Sequence, residues 1–468
     1  MHPVLVDYLD RLRVGPSGPQ IVAFFDLTGA LVEPYTAAAH HSRPRSPTVP
    51  EQWAGSTRLD IQEQSDTLFR SKLAGSLRYE AWSLLRAHQN LGHTVAMVTE
   101  VTDMEAHPWA QALGIEHVLC SRVQTRDDIL TGTLADPVLR GVQKCSAIRE
   151  FAAQRDLDLA LGHAYTDSDD DIALLDAVGN PHPINPHPGL ARHARSQRWL
   201  TLPVAPRRRG RTLAAVARTA AMYASLVAAG TVGIAAGAVR RSSRHGVDLA
   251  TTLFGTWAPR LGRITITIGG HEHARSPRPA VFFVNHQSTL IDVVVTARVI
   301  GRRFTIVVKK EVRSMPLVGR LFELAEVAFL DKSNTSQAIS ALQPAVTKLR
   351  SGISIAMAPE GTRSLTPAVA AFKKGGFHLA RDAGVPIVPI VIRNAGELMW
   401  RNDVVAQKGT VDVVVHRALP TVGWDLSDID RWRSEMHQLY TDTLDNWPGE
   451  AAGRRWSQLI DDIESLRP

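Results

Sequence analysis

Short, largely apolar runs that end in polar residues recur along most of this chain. The first three lie at 21–25, 93–99 and 157–161, and two more lie at 281–284 and 353–357. Their length and their β-branched and aromatic residues are typical of buried strands, and the segments between them favour helices. Strands that alternate with helices predict an α/β fold built on a doubly wound sheet.

The alternation stops near residue 206 and resumes later, which predicts four parts. Residues 1–205 form a doubly wound domain with a helical cap, and we expect a hairpin around Thr131-Gly132 within it. Residues 206–247 form a basic linker and a membrane-associated helix, and residues 248–425 form a second α/β domain. Residues 426–468 favour two charged amphipathic helices that cover a domain or rest on its surface.

Residues 219–239 carry no charged side chain. As a helix they would extend roughly 30 Å, about one hydrocarbon thickness of a bilayer. Gly233 and Gly237 have the GxxxG spacing that lets two helices pack closely in lipid, and residues 248–262 could supply the second helix. A buried helix of a soluble protein is the alternative. The pattern predicts contact with membrane lipid through a single helix or a helical hairpin.

The basic charge is concentrated beside this helix. The 468 residues carry a net charge of +7, and eight arginines with no acidic residue lie between residues 206 and 244. The rest of the chain is therefore close to neutral. A basic segment around an apolar stretch is typical of a membrane-surface anchor and argues against a nucleic-acid groove. Two isolated cysteines favour a reducing compartment, so we expect the cytoplasmic face of the cell membrane.

Polar residues follow three strands of the first domain. Asp26, Thr99 and the pair Asp167 and Asp171 come at or after strand ends, and Lys144 opens a helix. In a parallel sheet these residues would converge on one edge. Phosphoryl transfer requires a carboxylate nucleophile, a hydroxyl and an ammonium that hold the phosphoryl oxygens, and further carboxylates for Mg²⁺.

This order resembles the haloacid dehalogenase-like phosphatase superfamily, in its phosphoserine-phosphatase-like branch, over about residues 20–200. The resemblance implies that Asp26 is the nucleophile and that Thr99 and Lys144 bind phosphate. It also implies a Mg²⁺ site at Asp26, Thr28, Asp167 and Asp171. Thr28 stands where the phosphatases have an aspartate as general acid/base, and a threonine cannot serve in that role near neutral pH. Phosphatase activity is therefore an open alternative to a scaffold domain.

The second domain contains a candidate base with a carboxylate near it. His286 follows the run 281–284, and Asp292 comes six residues later. Acyl transfer to a hydroxyl needs a base, a group that orients the base, and donors for a phosphate on the acceptor. Arg363 suits phosphate recognition, and Glu360-Gly361-Thr362 precedes it.

These motifs resemble the lysophosphatidate acyltransferase family of glycerolipid synthesis over about residues 250–425. Further blocks of the resemblance lie at Lys309-Lys310-Glu311 and at 385–389. The resemblance implies that His286 and Asp292 are catalytic and that Glu360, Gly361, Thr362, Arg363 and Lys310 bind substrate. It implies transfer of a fatty acyl group from acyl-CoA or acyl carrier protein to 1-acyl-glycerol-3-phosphate, which makes phosphatidate for phospholipid synthesis.

Three alternatives stay open at this point. The acceptor could be another lysophospholipid or a glycolipid. The chain could be bifunctional, with an active Mg²⁺-dependent phosphatase domain, or it could be a non-catalytic membrane scaffold.

The spacing between base and carboxylate departs from the family pattern. Five residues separate His286 from Asp292, where the family usually has four. On a regular helix an offset of six residues points about 240° away from the first side chain. We therefore expect residues 287–291 to bend, in a strand-to-helix turn or a π-bulge, so that Asp292 reaches the imidazole.

Overall fold

The computed structural model describes residues 1–33, 53–205, 211–309, 328–330 and 343–465. The chain forms two compact units, Met1–Arg207 and Arg208–Pro468. Each unit has its own sheet and core, as follows.

The first unit contains seven α-helices and seven strands among its described residues. The helices are α1 (Pro3–Arg13), α2 (Arg58–Ser71), α3 (Tyr79–Asn90), α4 (Asp103–Leu113), α5 (Val142–Arg155), α6 (Ile172–Leu175) and α7 (Pro188–Gln197). The strands are β1 (Ile21–Asp26), β2 (Thr94–Thr102), β3 (His117–Ser121), β4 (Val123–Arg126), β5 (Ile129–Leu134), β6 (Asp158–Thr166) and β7 (Asn180–Pro183).

Five of these strands form a parallel sheet in the order β3-β2-β1-β6-β7. The central strand β1 is buried along its whole length. Phe24 packs with Ile148 and Leu190 on one face, and Phe25 packs against His88 of α3 on the other. Helices thus cover both faces, which confirms the predicted doubly wound domain.

The hairpin of the first unit lies earlier than predicted. Its strands β4 and β5 are joined at Asp127-Asp128, and Thr131 and Gly132 lie within β5. Both aspartates have positive φ, of 51° and 64°, as a two-residue hairpin turn requires. The described part of the cap is helical, as predicted: α2 contributes Ile61 to a small core that also contains Leu130 of the hairpin.

The second unit contains eight α-helices and seven strands among its described residues. The helices are α8 (Leu213–Val239), α9 (Ser243–Gly262), α10 (Leu290–Ile300), α11 (Gln343–Arg350), α12 (Gly375–Ala383), α13 (Ala395–Leu398), α14 (Asp428–Asp445) and α15 (Glu450–Ser465). The strands are β8 (Ile264–Gly269), β9 (Val281–Val284), β10 (Phe304–Lys309), β11 (Ala328–Leu330), β12 (Ser354–Met357), β13 (Ile387–Arg393) and β14 (Gly409–Val415).

These strands form one sheet in the order β11-β10-β12-β9-β13-β14-β8. All neighbours are parallel except β13 and β14. Strand β9 therefore lies between β12 and β13, and the carboxyl ends of all three strands meet at one edge. Helices α14 and α15 cover one face through Trp432, Tyr440 and Trp456, which is the covering role expected for the C-terminal residues.

Helices α8 and α9 pack against each other as a hairpin. A Cβ atom on Gly233 would lie 2.5 Å from the carbonyl oxygen of Gly246 in α9, so the glycine permits the close approach. Helix α9 supplies the partner expected at 248–262, but it begins at Ser243, so the predicted boundary after residue 247 falls inside a helix.

Helix α8, with 27 residues, is the one described helix long and apolar enough to cross a membrane. Only 28% of its most apolar 18-residue window is buried. Val227 and Ile234 are among its exposed apolar side chains. The alternative of a buried soluble helix therefore does not describe α8.

Candidate active sites

Asn285 fixes the point where the chain leaves strand β9. Its side-chain amide donates to the carbonyl of Ile392 at 2.8 Å and accepts from the N–H of Ile392 at 2.6 Å. The side chain thus continues the hydrogen-bond ladder between β9 and β13 by one further position. His286 leaves the edge of the sheet from a rigid support.

Asp292 reaches the imidazole of His286. The Nδ1 atom of His286 lies 2.7 Å from Oδ2 of Asp292. The same oxygen accepts the backbone N–H groups of Gln287 and Ser288 at 2.9 and 2.8 Å. Helix α10 begins only at Leu290, so the extra residue is absorbed in the strand-to-helix turn. The contact that the sequence required is present.

The geometry of this pair suits proton transfer. Asp292 is buried, whereas 32% of the His286 side chain is exposed. An imidazole that donates Nδ1–H to a carboxylate presents Nε2 as an acceptor. A hydroxyl that approaches from solvent would therefore meet Nε2 as its hydrogen-bond acceptor.

Glu360 was expected to bind substrate, but its side chain is buried beneath the loop that carries His286. The side chain is 2% exposed, and Oε2 accepts the backbone N–H of His286 at 2.7 Å. Oε1 accepts from Ser364 Oγ at 3.1 Å and from the N–H of Ala370 at 3.3 Å. Burial raises the pKa of Glu360 to about 8, although these hydrogen bonds oppose the shift. The carboxyl group supports the base loop and makes its contacts within the protein.

The remaining residues of this motif form a turn beside the base. Gly361 has a φ of 73°, which favours glycine, and Thr362 is exposed. The N–H of Ser364 donates to the carbonyl of His286 at 2.8 Å. Arg363 donates from Nη1 to Thr289 Oγ1 and to the carbonyl of Arg401. The two predicted motifs are thus joined, while Lys310 lies outside the described residues.

Several residues that support this site had no assigned role in the sequence. Tyr440 of α14 donates to the carbonyl of Phe283 at 2.8 Å and accepts from the N–H of Ile390 at 3.1 Å. Gln287 Nε2 donates to the carbonyl of Pro367 at 3.1 Å. Asn285 could have been identified by its place beside His286, but Tyr440 is distant in sequence and carried no signal.

The predicted phosphoryl site assembles at the carboxyl edge of the first sheet. Lys144 Nζ lies 3.2 Å from Asp26 Oδ1 and 2.9 Å from Asp171 Oδ2. Thr166 Oγ1 donates to the same oxygen of Asp171 at 2.6 Å. Burial raises the pKa of Asp26 to about 8, and the charge of Lys144 opposes that shift. Burial raises the pKa of Asp167 as well.

Two predicted members of this site occupy other positions than expected. Strand β2 continues to Thr102, so Thr99 lies inside the strand, fully buried. Thr28 pairs with Val32 through a backbone bridge. The sequence did not indicate Arg78, which donates from Nη1 to the carbonyl of Gly29 and lies close enough to Asp167 for their charges to interact.

The donor set fits Mg²⁺ only in part. Oδ1 of Asp171 is buried and has no hydrogen-bond partner among the described residues. Asp26 and Asp167 supply carboxylates near it. In the part of the chain that the structure describes, no three His, Cys, Asp or Glu side chains are arranged to hold a metal. Backbone carbonyls and waters would have to complete the shell, as they commonly do for this ion.

Two families match different segments of the chain. Residues 23–176 match the model of the haloacid dehalogenase-like hydrolase family, and residues 265–393 match the acyltransferase family model. The two resemblances that the motifs indicated are thereby confirmed. Each segment contains one of the two sites described above.

Relatives of the chain carry acyltransferase names. An uncharacterised acyltransferase of Schizosaccharomyces pombe is 36% identical over 180 residues, which cover 38% of this chain and 64% of the relative. The 1-acyl-sn-glycerol-3-phosphate acyltransferase of Cocos nucifera is 33% identical and that of Homo sapiens (alpha) 32%. Each alignment covers 38% of this chain, with 58% and 64% of the respective relative. The chain therefore spans less than two thirds of the length of these relatives.

A solved acyltransferase shows a weak structural likeness. The 1-acyl-sn-glycerophosphate acyltransferase of Thermotoga maritima matches 55% of this chain and 97% of its own. The identity is 20% and the TM-score is 0.43.

Proposed function

We propose that the chain is a 1-acylglycerol-3-phosphate O-acyltransferase that makes phosphatidate from an acyl thioester. The contact between His286 and Asp292, with Arg363 on the adjoining loop, carries this proposal. It combines a base, a group that orients the base and a cation suited to phosphate. The acyl donor is a thioester of CoA or of acyl carrier protein, since a thioester releases a thiolate, which is a good leaving group.

The reaction follows from this arrangement. Nε2 of His286 takes the proton of the acceptor hydroxyl while its oxygen attacks the thioester carbonyl. A carbon–oxygen bond forms, the carbon–sulfur bond breaks, and the proton passes from the imidazolium to the departing thiolate. Asp292 keeps the ring oriented throughout, and Arg363 holds the acceptor phosphate.

An apolar cavity of 460 Å³ supports a lipid substrate. It is lined by side chains of α8, α9, α10 and β10, among them Leu226, Phe254, Val293 and Ile306. Val293, which follows Asp292 in α10, is the lining residue nearest in sequence to the base and its carboxylate. Its apolar lining suits a hydrocarbon chain.

The helical hairpin of α8 and α9 supports a location at the membrane. Exposed apolar residues on α8 and flanking arginines are features of a segment that contacts lipid and anionic headgroups. We place the enzyme on the cytoplasmic face of the cell membrane, where acyl-CoA is available. The same distribution of charge favours membrane lipid as the partner and argues against nucleic acid.

A transfer assay with a panel of acceptors tests the main proposal. Membranes that contain the chain are incubated with labelled acyl-CoA and 1-acyl-glycerol-3-phosphate, other lysophospholipids or glycolipids. We expect label in phosphatidate, lost in His286→Ala and kept in Asp26→Asn. Preferred labelling of another acceptor would show that this acceptor is the substrate. An absence of label with every acceptor would favour a non-catalytic scaffold.

A second activity, a Mg²⁺-dependent phosphatase, is favoured by the cluster of Asp26, Lys144 and Asp171. Asp26 would attack the phosphorus while the bond to the leaving alkoxide breaks, and the alkoxide would take a proton from water. A water molecule would then hydrolyse the aspartyl phosphate and release inorganic phosphate. Lys144 would balance the charge of the phosphoryl oxygens, and Asp26, Asp167 and Asp171 would hold the ion. Mg²⁺ would neutralise phosphoryl charge when bound. The full chain, incubated with an aryl phosphate, phosphoserine and phosphatidate, tests this. Turnover that requires both Mg²⁺ and Asp26 would support the phosphatase activity. An absence of turnover with all three substrates would contradict it.

A further inference from the structure

Two arginines hold each other at the rim of the acyltransferase site. Nη1 of Arg401 donates to the carbonyl of Arg363 at 2.6 Å, and Nη1 of Arg363 donates to the carbonyl of Arg401. The exchange fixes both backbones and both guanidinium groups in one place. Nothing in the sequence motifs pointed to Arg401.

The fold brings this pair to the base from both sides. Arg363 follows strand β12 and Arg401 follows strand β13. These strands flank β9, and His286 follows β9. All three strands present their carboxyl ends at the same edge of the sheet. The indole N–H of Trp400 donates to the carbonyl of Leu365 at 3.4 Å, which adds a second link between the two loops.

The longer connection between base and carboxylate also takes part. Nη1 of Arg363 donates to the hydroxyl of Thr289, which lies in the turn between His286 and Asp292. This turn contains the one residue in excess of the family spacing. The hydroxyl therefore ties the arginine to the same turn that positions the base.

The charge of Arg363 suits an anionic ligand. Two guanidinium groups repel each other, and the cost falls when a doubly charged anion binds both. Among the described residues, the side chain of Arg363 donates to the hydroxyl of Thr289 and to the carbonyl of Arg401, and both acceptors are uncharged. A phosphate monoester has the charge and the oxygens to accept from two planar forks.

We propose that Arg401 is a second ligand of the acceptor phosphate, paired with Arg363, and that Thr289 positions the pair. The inference rests on the proposed function and extends it to the choice of acceptor. It implies that the site selects a phosphate monoester over an uncharged glycerolipid. Arg401 would act on binding of the acceptor and leave the proton transfer unchanged.

Steady-state kinetics of the full chain in detergent test this. We compare wild type, Arg401→Gln and Arg401→Lys on 1-acyl-glycerol-3-phosphate and on monoacylglycerol of the same chain. Loss of a charge-assisted bond predicts a KM for the phosphate acceptor about tenfold higher in Arg401→Gln, with kcat within about twofold. Arg401→Lys should recover part of the loss, and monoacylglycerol transfer should not change. Arg431→Gln, an exposed arginine on α14, is the matched control for charge.

Thr289 is tested by a pair of variants. Thr289→Val keeps the branched shape without the hydroxyl, and Thr289→Ser keeps the hydroxyl. We expect the valine variant to raise the KM for the phosphate acceptor about threefold and the serine variant to restore it. A purely structural role would follow shape, so serine would then be the more harmful change.

The outcomes separate this inference from the proposed function. An unchanged KM in Arg401→Gln, or equal losses on both acceptors together with a lower melting temperature, would overturn the inference while the acyltransferase activity stands. A wild-type chain that acylates no phosphate-bearing acceptor would overturn both. Inhibition by glycerol 3-phosphate that weakens in Arg401→Gln but not in Arg431→Gln would support the inference by an independent route.

Discussion

Glu360 makes the stability of the second unit depend on pH in an unusual direction. Its carboxyl group is buried beneath the base loop, and burial raises its pKa from 4.5 to about 8. In the unfolded chain the group loses its proton near pH 4.5, whereas in the folded chain it keeps the proton until about pH 8. The unfolded state therefore binds fewer protons between these values, and stability falls as pH rises through this window.

Replacement of Glu360 by glutamine removes this dependence. The glutamine oxygen can accept the N–H of His286, and its amide can donate to Ser364 Oγ, which reverses the direction of that hydrogen bond. The long contact with the N–H of Ala370 is weakened, at a cost of about 1 kcal/mol. From the two pKa values, wild type loses roughly 2 to 3 kcal/mol between about pH 6 and about pH 8.5, and Glu360→Gln does not.

Native-state hydrogen exchange of the β9 amides measures this difference. Wild type and Glu360→Gln are compared at the same pH, so that intrinsic exchange rates cancel. The protection of the variant relative to wild type should rise roughly 50- to 100-fold between about pH 6 and about pH 8.5. Protection that changes equally in both proteins would show that Glu360 does not change its protonation state on folding. Loss of protection in the variant at about pH 8.5 would mean that the carboxylate is needed in its charged form.

Two further predictions concern the first unit. Burial lowers the pKa of His163 to about 4 and that of His182 to about 3, so protonation of the unfolded chain should reduce stability as pH falls below about 6.5. His163→Gln should remove up to about 3 kcal/mol of this acid sensitivity, measured from melting curves at several pH values. An unchanged dependence of stability on pH would contradict the assignment. A Cβ on Gly29, which has a φ of 96°, would lie 2.0 Å from Asp167, whereas a Cβ on Gly18, which has a φ of 118°, would have no atom within 4 Å. Gly29→Ala should therefore lower the melting temperature more than Gly18→Ala does. Equal decreases in melting temperature would show that backbone strain alone acts.

The sequence by itself determined the two α/β units, the amphipathic C-terminal cover and the pairing of His286 with Asp292. Local pattern was enough because each strand carries its apolar residues and its terminal polar groups within a few positions. The spacing of His286 and Asp292 even required a bend before the structure showed it. The hairpin turn at Asp127-Asp128 contains no glycine, so the sequence pattern predicted the turn too late in the chain, at Thr131-Gly132.

Tertiary structure alone decided which polar groups lie at the rim of the site and which are buried within the protein. Glu360 and Arg363 are three residues apart, yet one is buried beneath the base loop and the other lies at its rim. Arg401, Tyr440 and Arg78 reach their sites from distant elements, because parallel strands bring their carboxyl ends together whatever their separation in sequence. Burial, which sets the pKa of Glu360 and of Asp26, likewise depends on packing from several elements and not on the neighbours along the chain.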